Sequence, residues 1–322
     1  MSGVSVARDP LIRAGIALVD REDWAKLISR PGRSKVQMAA HHGALDDGPR
    51  DGVMSDELCS IVMSGLALLP AGANVIMQLS RLPVGRGIVE SRVESGSLTK
   101  HPFKRTRTTL AYIVIALFGT EHEREVLRRE VNRQHRQVFA DEKSEFDYRA
   151  SDPELQLWVG ACMYRGFEDA TRFLYGEQSD DLLAEMYRHS ARFVTTLQVP
   201  QSDWPEDRAA FERYWNGQLA LVKTDESTRS YLNGLAALEF LPAPIPRVLG
   251  PIHRFVTSGF LDQPFRDELG LSWSPRRNWA FLRLAGVLAR VNRHLPPPVR
   301  EFPWNLVLWE TRRRIRQGRP IV

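Results

Sequence analysis

The sequence predicts an all-α protein folded as a single domain, and three observations carry that expectation. Apolar residues recur at helical spacing along nearly all of the 322-residue chain, while the strict alternation of a strand is rare. Start and stop signals sit where that periodicity needs them. Hydrophobic residues make up 43% of the chain and charged residues 26%, the balance of a soluble globular protein long enough to bury a sizeable core.

Taken in order, the N-terminus "MSGVSVARDPLIRAG" holds no signal-peptide core. A helix is expected at 20–30, then a loop or mobile segment at 31–54. That segment contains His41 and His42, adjacent residues whose side chains project differently and which read as surface groups. Helices are then expected at 55–69, 71–81, 103–118, 120–140, 152–175, 179–197, 205–222, 226–239, 244–260, 276–294 and 298–316. Asp152-Pro153 places a cap before a first-turn proline. Ser179 precedes two aspartates, which suit a helix start. Gly119 separates two helices. "LPAPIP" at 241–246 and "LPPPV" at 295–299 are proline corners. The organisation expected is an N-terminal helix and loop (1–54), a helical core (55–275) and basic C-terminal helices packing on it (276–322).

Composition removes several function classes. Cys59 and Cys162 form no CxxC pair, which argues against structural zinc or a disulfide framework and makes a reducing cytoplasm the simplest compartment. The apolar run "LAYIVIALF" is roughly half the length of a membrane-spanning helix. HExxH, GxSxG and Walker A patterns are absent, and no histidine stands three residues after a glutamate, as a di-iron bundle requires. "GANVIMQLSRLPVGRG" has glycines without the strand–turn–helix setting of a nucleotide site. The net charge of +5 is uneven: +9 from Ser274 onward, with eleven arginines and no lysine, and −4 before it. The run "ETRRRIRQGRP" is either a solvated terminal helix or a surface for an anionic membrane or nucleic acid. With no nucleic-acid-binding signature present, nucleic acid is not an expected partner; the solvated helix is the favoured reading, and peripheral membrane contact through the basic C-terminus stays open.

Two helices concentrate the chemistry. On 120–140, Leu127, Val131, His135 and Val138 form one apolar stripe, so His135 points inward. An inward histidine is either a hydrogen-bonded core residue or a ligand, and haem iron suits a single neutral imidazole in an apolar wall. On 103–118, Arg105, Thr109, Tyr112 and Ala116 share one face, with Leu110, Ile113, Val114 and Leu117 on the other. A fixed cation and a hydroxyl one turn apart form either a solvated helix start or a donor pair for an anionic or oxygen species.

Several short motifs then occur in a fixed order: "RTRTT" (105–109), "FGT" (118–120), "HRQV" (135–138), "YRASDPELQLWV" (148–159) and "PFRDELGLSWS" (264–274). This order resembles the haem-dependent oxygenases related to bacterial rubber oxygenase and to the fungal oxygenase of mycophenolic acid biosynthesis, over approximately residues 65–275. The resemblance implies a globin-like haem core with added helices and a haem b cofactor. It makes His135 the iron ligand, with Arg105 and Thr109 on the distal side and Tyr112 among the cofactor-binding residues. It further implies dioxygen and a small apolar, possibly unsaturated or isoprenoid, substrate. Tyr148, Asp152 and Trp158 match the pattern, with structural roles expected. The chain departs from the pattern at Thr108, where rubber oxygenase has a lysine able to cap the iron. A haem-binding or sensing protein without turnover, and a basic all-α interaction protein without cofactor, are the competing expectations.

Overall fold

A computed structural model of the protein describes residues 53–91, 98–140, 142, 144 and 147–321. The helix expected at 20–30, most of the loop at 31–54 and both adjacent histidines lie outside the described residues. In chain order the α-helices are α1 (Asp56–Val62), α2 (Ala71–Leu79), α3 (Leu82–Val89), α4 (Pro102–Phe118), α5 (Glu121–His135), α6 (Pro153–Tyr175), α7 (Asp180–Ser190), α8 (Arg192–Thr195), α9 (Arg208–Leu219), α10 (Glu226–Ala236), α11 (Ile245–Phe260), α12 (Gln263–Leu269), α13 (Pro275–His294), α14 (Pro297–Arg300) and α15 (Trp304–Arg316). Short 3-10 turns occupy Gly65–Leu68 and Gln201–Asp203. Among the described residues there is no strand, only an isolated antiparallel bridge between Phe139 and Arg149. The protein is a single all-α domain, as its periodicity predicts.

The longest helix, α6, is the axis of the fold. Asp152 caps it by accepting from the Glu154 amide at 2.8 Å, and Pro153 supplies a preformed first turn. From Gly160 to Leu174 almost every side chain is buried, because α2, α7, α8 and α13 pack around it. Two glycines permit that approach. A Cβ on Gly160 would lie 2.1 Å from Val194 Cγ1, and one on Gly166 would lie 2.3 Å from Asn74 Nδ2. Trp158 is fully buried, donates to the Gln78 carbonyl at 3.0 Å and stacks on Trp215 with centroids 5.2 Å apart. Its role is packing, as expected.

The departures from the sequence expectation are local. The 55–69 helix breaks at Ser64-Gly65, because the C-terminal segment docks there. Trp304 Nε1 donates to the Ser64 carbonyl at 3.0 Å, Ser64 Oγ to Asn292 Oδ1 at 2.9 Å, and a Cβ on Gly65 would collide with the Phe302 carbonyl. The helix expected at 71–81 forms as α2, and the glycine-bearing residues after it, to which no helix was assigned, fold as α3. A Cβ on Gly85 would meet Leu79 O and Thr228 Cγ2 at 2.6 and 2.7 Å, so glycine lets α3 approach α10 closely. The 120–140 helix ends at His135, since Val138 and Ala140 exchange backbone hydrogen bonds with Ala150 and Tyr148. His135 is therefore a helix-terminal residue, held between α5 and that paired segment.

Candidate active site

Both helices picked out by the sequence start or end at the site. Thr120 and Glu123 form a capping box that fixes the start of α5: Thr120 Oγ1 accepts from the Glu123 amide at 3.2 Å, and Glu123 Oε2 from the Thr120 amide at 2.9 Å. Leu127 and Val131 then bury one stripe, and the same stripe carries His135 inward at the last helical position. Helix α4 packs against α5 and is held on its other side by α15. Its second half is embedded, with every residue from Ala111 to Leu117 buried except the half-buried Ile113, while its first turns carry Arg105 and Thr109.

His135 has an unusual environment for a core histidine. Its Nδ1 is buried and has no hydrogen-bond partner, and no described residue bonds its Nε2. Burial, reinforced by the nearby Arg105 charge, pushes its pKa down to about 4. The ring is neutral at neutral pH, the form in which imidazole ligates metals.

Arg105 shows two properties that coexist only in a recess. Its side chain is accessible by surface area, yet surrounding protein desolvates it and lowers its pKa. No described residue forms an ion pair or side-chain hydrogen bond with it. Tyr231 of α10, half-buried, is the group whose charge couples to it, and burial raises the Tyr231 pKa against the lowering effect of Arg105. Arg105, His135 and Tyr231 thus come from three helices to one region. Nothing in the sequence singled out Tyr231, because "STRSYLNG" is an ordinary amphipathic stretch.

The remaining expected residues are placed as follows. Thr109 is half-buried, one turn from Arg105, and its hydroxyl bonds no described residue. Thr108 is buried and donates to the Arg105 carbonyl at 2.9 Å, so it offers no ligand where rubber oxygenase carries a lysine. Tyr112 is buried one turn deeper, and its hydroxyl donates to the Phe193 carbonyl, leaving the ring as its surface toward a ligand. Tyr148 is buried beside the site's floor: its ring lies 3.4 Å from a Cβ placed on Gly87, and its hydroxyl donates to Glu90 Oε2 at 2.9 Å. Glu90 also accepts from Arg86 Nη1 at 3.0 Å, and Arg86 pairs with Asp225, the N-cap of α10. This chain of contacts ties α3 and the helix bearing Tyr231 to the segment that follows His135.

Comparison with known proteins agrees with the motif order. The family described as "ER-bound oxygenase mpaB/B'/Rubber oxygenase, catalytic domain" matches residues 60–290. An uncharacterized protein of Mycobacterium tuberculosis (strain H37Rv) is 46% identical over 255 residues, spanning 79% of this chain and 100% of its own length. An uncharacterized protein of Mycobacterium bovis matches with the same identity and coverage. No solved structure matches. With the matched region enclosing α2 to α12 and every residue of the recess, the chain belongs to the mpaB/rubber oxygenase catalytic-domain family, a family of oxygenases.

Proposed function

We propose that this protein is a haem b-dependent oxygenase that acts with dioxygen on a small apolar, unsaturated substrate of the isoprenoid kind, its helices forming a globin-like cradle. The observation that carries the proposal is the unpaired, buried, neutral imidazole of His135 in the same recess as the unpaired guanidinium of Arg105. Buried polar atoms are nearly always satisfied, so a ring nitrogen with no partner among the described residues suits a bound ligand. An iron facing that nitrogen would supply the partner. Among the described residues no group of three or more His, Cys, Asp or Glu could hold a metal ion directly. One histidine is then the natural complement of an iron whose other ligands come from a porphyrin.

The residues fit such a group, and each has a task. His135 would ligate the iron; because its pKa is held at about 4, doing so at neutral pH would require no proton loss. Arg105 would place a fixed positive charge beside negative charge that develops on the opposite side of the group. A charge held in a partly desolvated recess acts more strongly than one in water and needs no reorientation during reaction. Thr109 would add a hydroxyl donor one turn along, and Tyr112 would wall the recess with its ring. The bound haem would supply the redox chemistry with dioxygen. Thr108, turned into its own helix, would offer such a group no side-chain ligand.

The test is an absorption spectrum of haem-supplemented wild-type protein and of His135→Ala. The reading expects a strong Soret band that is lost or displaced in the variant. A folded wild-type protein with no Soret band sinks it, and an unchanged band in the variant moves the ligand elsewhere.

A further inference from the structure

The structure leaves a strongly charged face on α13 without an ion-pair partner among the described residues, in addition to the exposed arginines of the terminal run. Helix α13 contains five arginines and no acidic residue. Its inner stripe, Phe281, Ala285, Ala289 and Asn292, is buried, with the helix packed on α6 and α11. Arg276, Arg283 and Arg290 recur every seven residues, so they line up on the opposite, outer face. Between them stand apolar side chains that water does not reward. Trp279 is 62% exposed, Val287 54% and Val291 47%. Arg283 lies over the Trp279 ring at 5.0 Å, and neither Arg276, Arg290 nor Arg293 pairs with a described residue.

We propose that this outer face of α13 docks the protein on an anionic lipid membrane surface. Charge complementarity names the partner's sign, and the interleaved side chains name its class. Arginines at heptad spacing would meet lipid phosphates while their stems lie along the apolar boundary. Tryptophan is the residue best suited to the headgroup level, apolar in body and polar at its tip. Valines between the arginines would enter the upper acyl region, whereas against a nucleic-acid backbone they would meet only phosphate and water. Contact of this kind is peripheral: no single described helix is long and apolar enough to cross a membrane. The inference needs no cofactor and stands apart from the haem reading.

The test is vesicle flotation of the full chain. Phosphatidylcholine vesicles and vesicles enriched in phosphatidylglycerol would be compared for wild type, Arg283→Glu/Arg290→Glu, Trp279→Ser, and a charge-matched control, Arg188→Glu/Arg213→Glu, at two exposed positions elsewhere. Binding is expected only with phosphatidylglycerol. The α13 charge reversal should weaken it by roughly tenfold or more, the tryptophan change less, and the control little. Absence of binding overturns the proposal, as does an equal loss in the control. Displacement of the vesicles by duplex DNA, with Trp279→Ser binding that DNA normally, would reassign the face to nucleic acid.

Discussion

Two regions of this protein desolvate charged side chains, and they meet the cost in opposite ways. Around the middle of α6 every charge has its counterpart. Glu168 is 2% exposed and accepts from Arg165 Nη1 at 2.8 Å, Arg208 Nη2 at 2.9 Å and Tyr164 Oη at 3.2 Å, while Arg165 also reaches Glu212 at 2.9 Å. Burial alone would raise the Glu168 pKa, but Arg165, Arg172 and Arg208 outweigh it and keep the carboxylate ionised. The recess at the head of α4 is the reverse. Arg105 and His135 are both desolvated, the Arg105 charge helps keep the imidazole neutral, and neither side chain has a partner among the described residues. A closed network specifies packing, whereas an open one specifies something that has to arrive.

The sharpest way to break this comparison is to truncate one group in each region. Replacing Glu168 with Ala leaves two arginines facing each other in the interior, and removing one partner of a buried pair costs about 3–5 kcal/mol. Urea titration should show a correspondingly earlier midpoint, with haem binding lost only as the fold is lost. Replacing His135 with Ala removes an orphaned atom rather than a partner. Its effect on the stability of the cofactor-free protein should stay within about 1 kcal/mol, while the Soret band disappears or moves. If both variants lose equal stability, the recess is structural and the contrast fails.

The sequence made one of these regions visible and hid the other. Arg105, Thr109 and His135 are separated by motifs whose order could be read, and the inward direction of His135 followed from its stripe with Leu127 and Val131. The Arg165 network was not read because, beyond the i,i+3 pair of Arg165 and Glu168 on α6, its members are joined across α6 and α9 by tertiary packing. Tyr231 was missed for the same reason. Most helices were legible from periodicity and caps, but α3 and α12 were not. Helix α3 has glycines where a helix former would be expected, and those glycines serve close contacts with α10 and Tyr148 that only the fold reveals. The end of α5 was placed too late, since Val138 continues the stripe although its backbone pairs with Ala150. The arginine count of the tail suggested a single basic surface. In the structure Arg312 is tied to Glu123 at 3.1 Å and Arg314 to Glu310 at 2.8 Å, so part of the tail's charge is neutralised, while Arg276, Arg290 and Arg293 of α13 pair with no described residue.

Arg105 tests whether the open region is open for chemistry. Leucine in its place would keep the side-chain bulk and remove the charge, so haem binding should survive. Turnover should fall about 10²–10³-fold, the usual effect of deleting one preorganised donor. Thr109→Val removes one neutral hydroxyl and should cost nearer tenfold, in line with about 1 kcal/mol for a single hydrogen bond. Steady-state rates at matched haem occupancy check both. Unchanged rates would leave Arg105 a solvated helix start.

The finest distinction lies inside the closed network, at Asp169. Burial raises its pKa from 3.8 to about 7, with Arg165 and Arg172 pulling it down and Asp262 and Glu168 pushing it up. Its one ion pair, to Arg172 Nη1 at 3.7 Å, is too long to offset the desolvation. Between those two values the folded protein keeps a proton that the unfolded chain has released. Stability from this group is therefore full at the acid end, declines as pH rises from 3.8 to about 7, and is flat above that. Asp169→Asn fixes the neutral shape and removes the slope. The variant should match wild type at low pH and gain on it as pH rises, by up to a few kcal/mol. Urea midpoints measured for both proteins inside that window and above it decide the matter. A wild type whose advantage grows with pH would mean that Asp169 is ionised and paired like Glu168, and that the network is closed at every member.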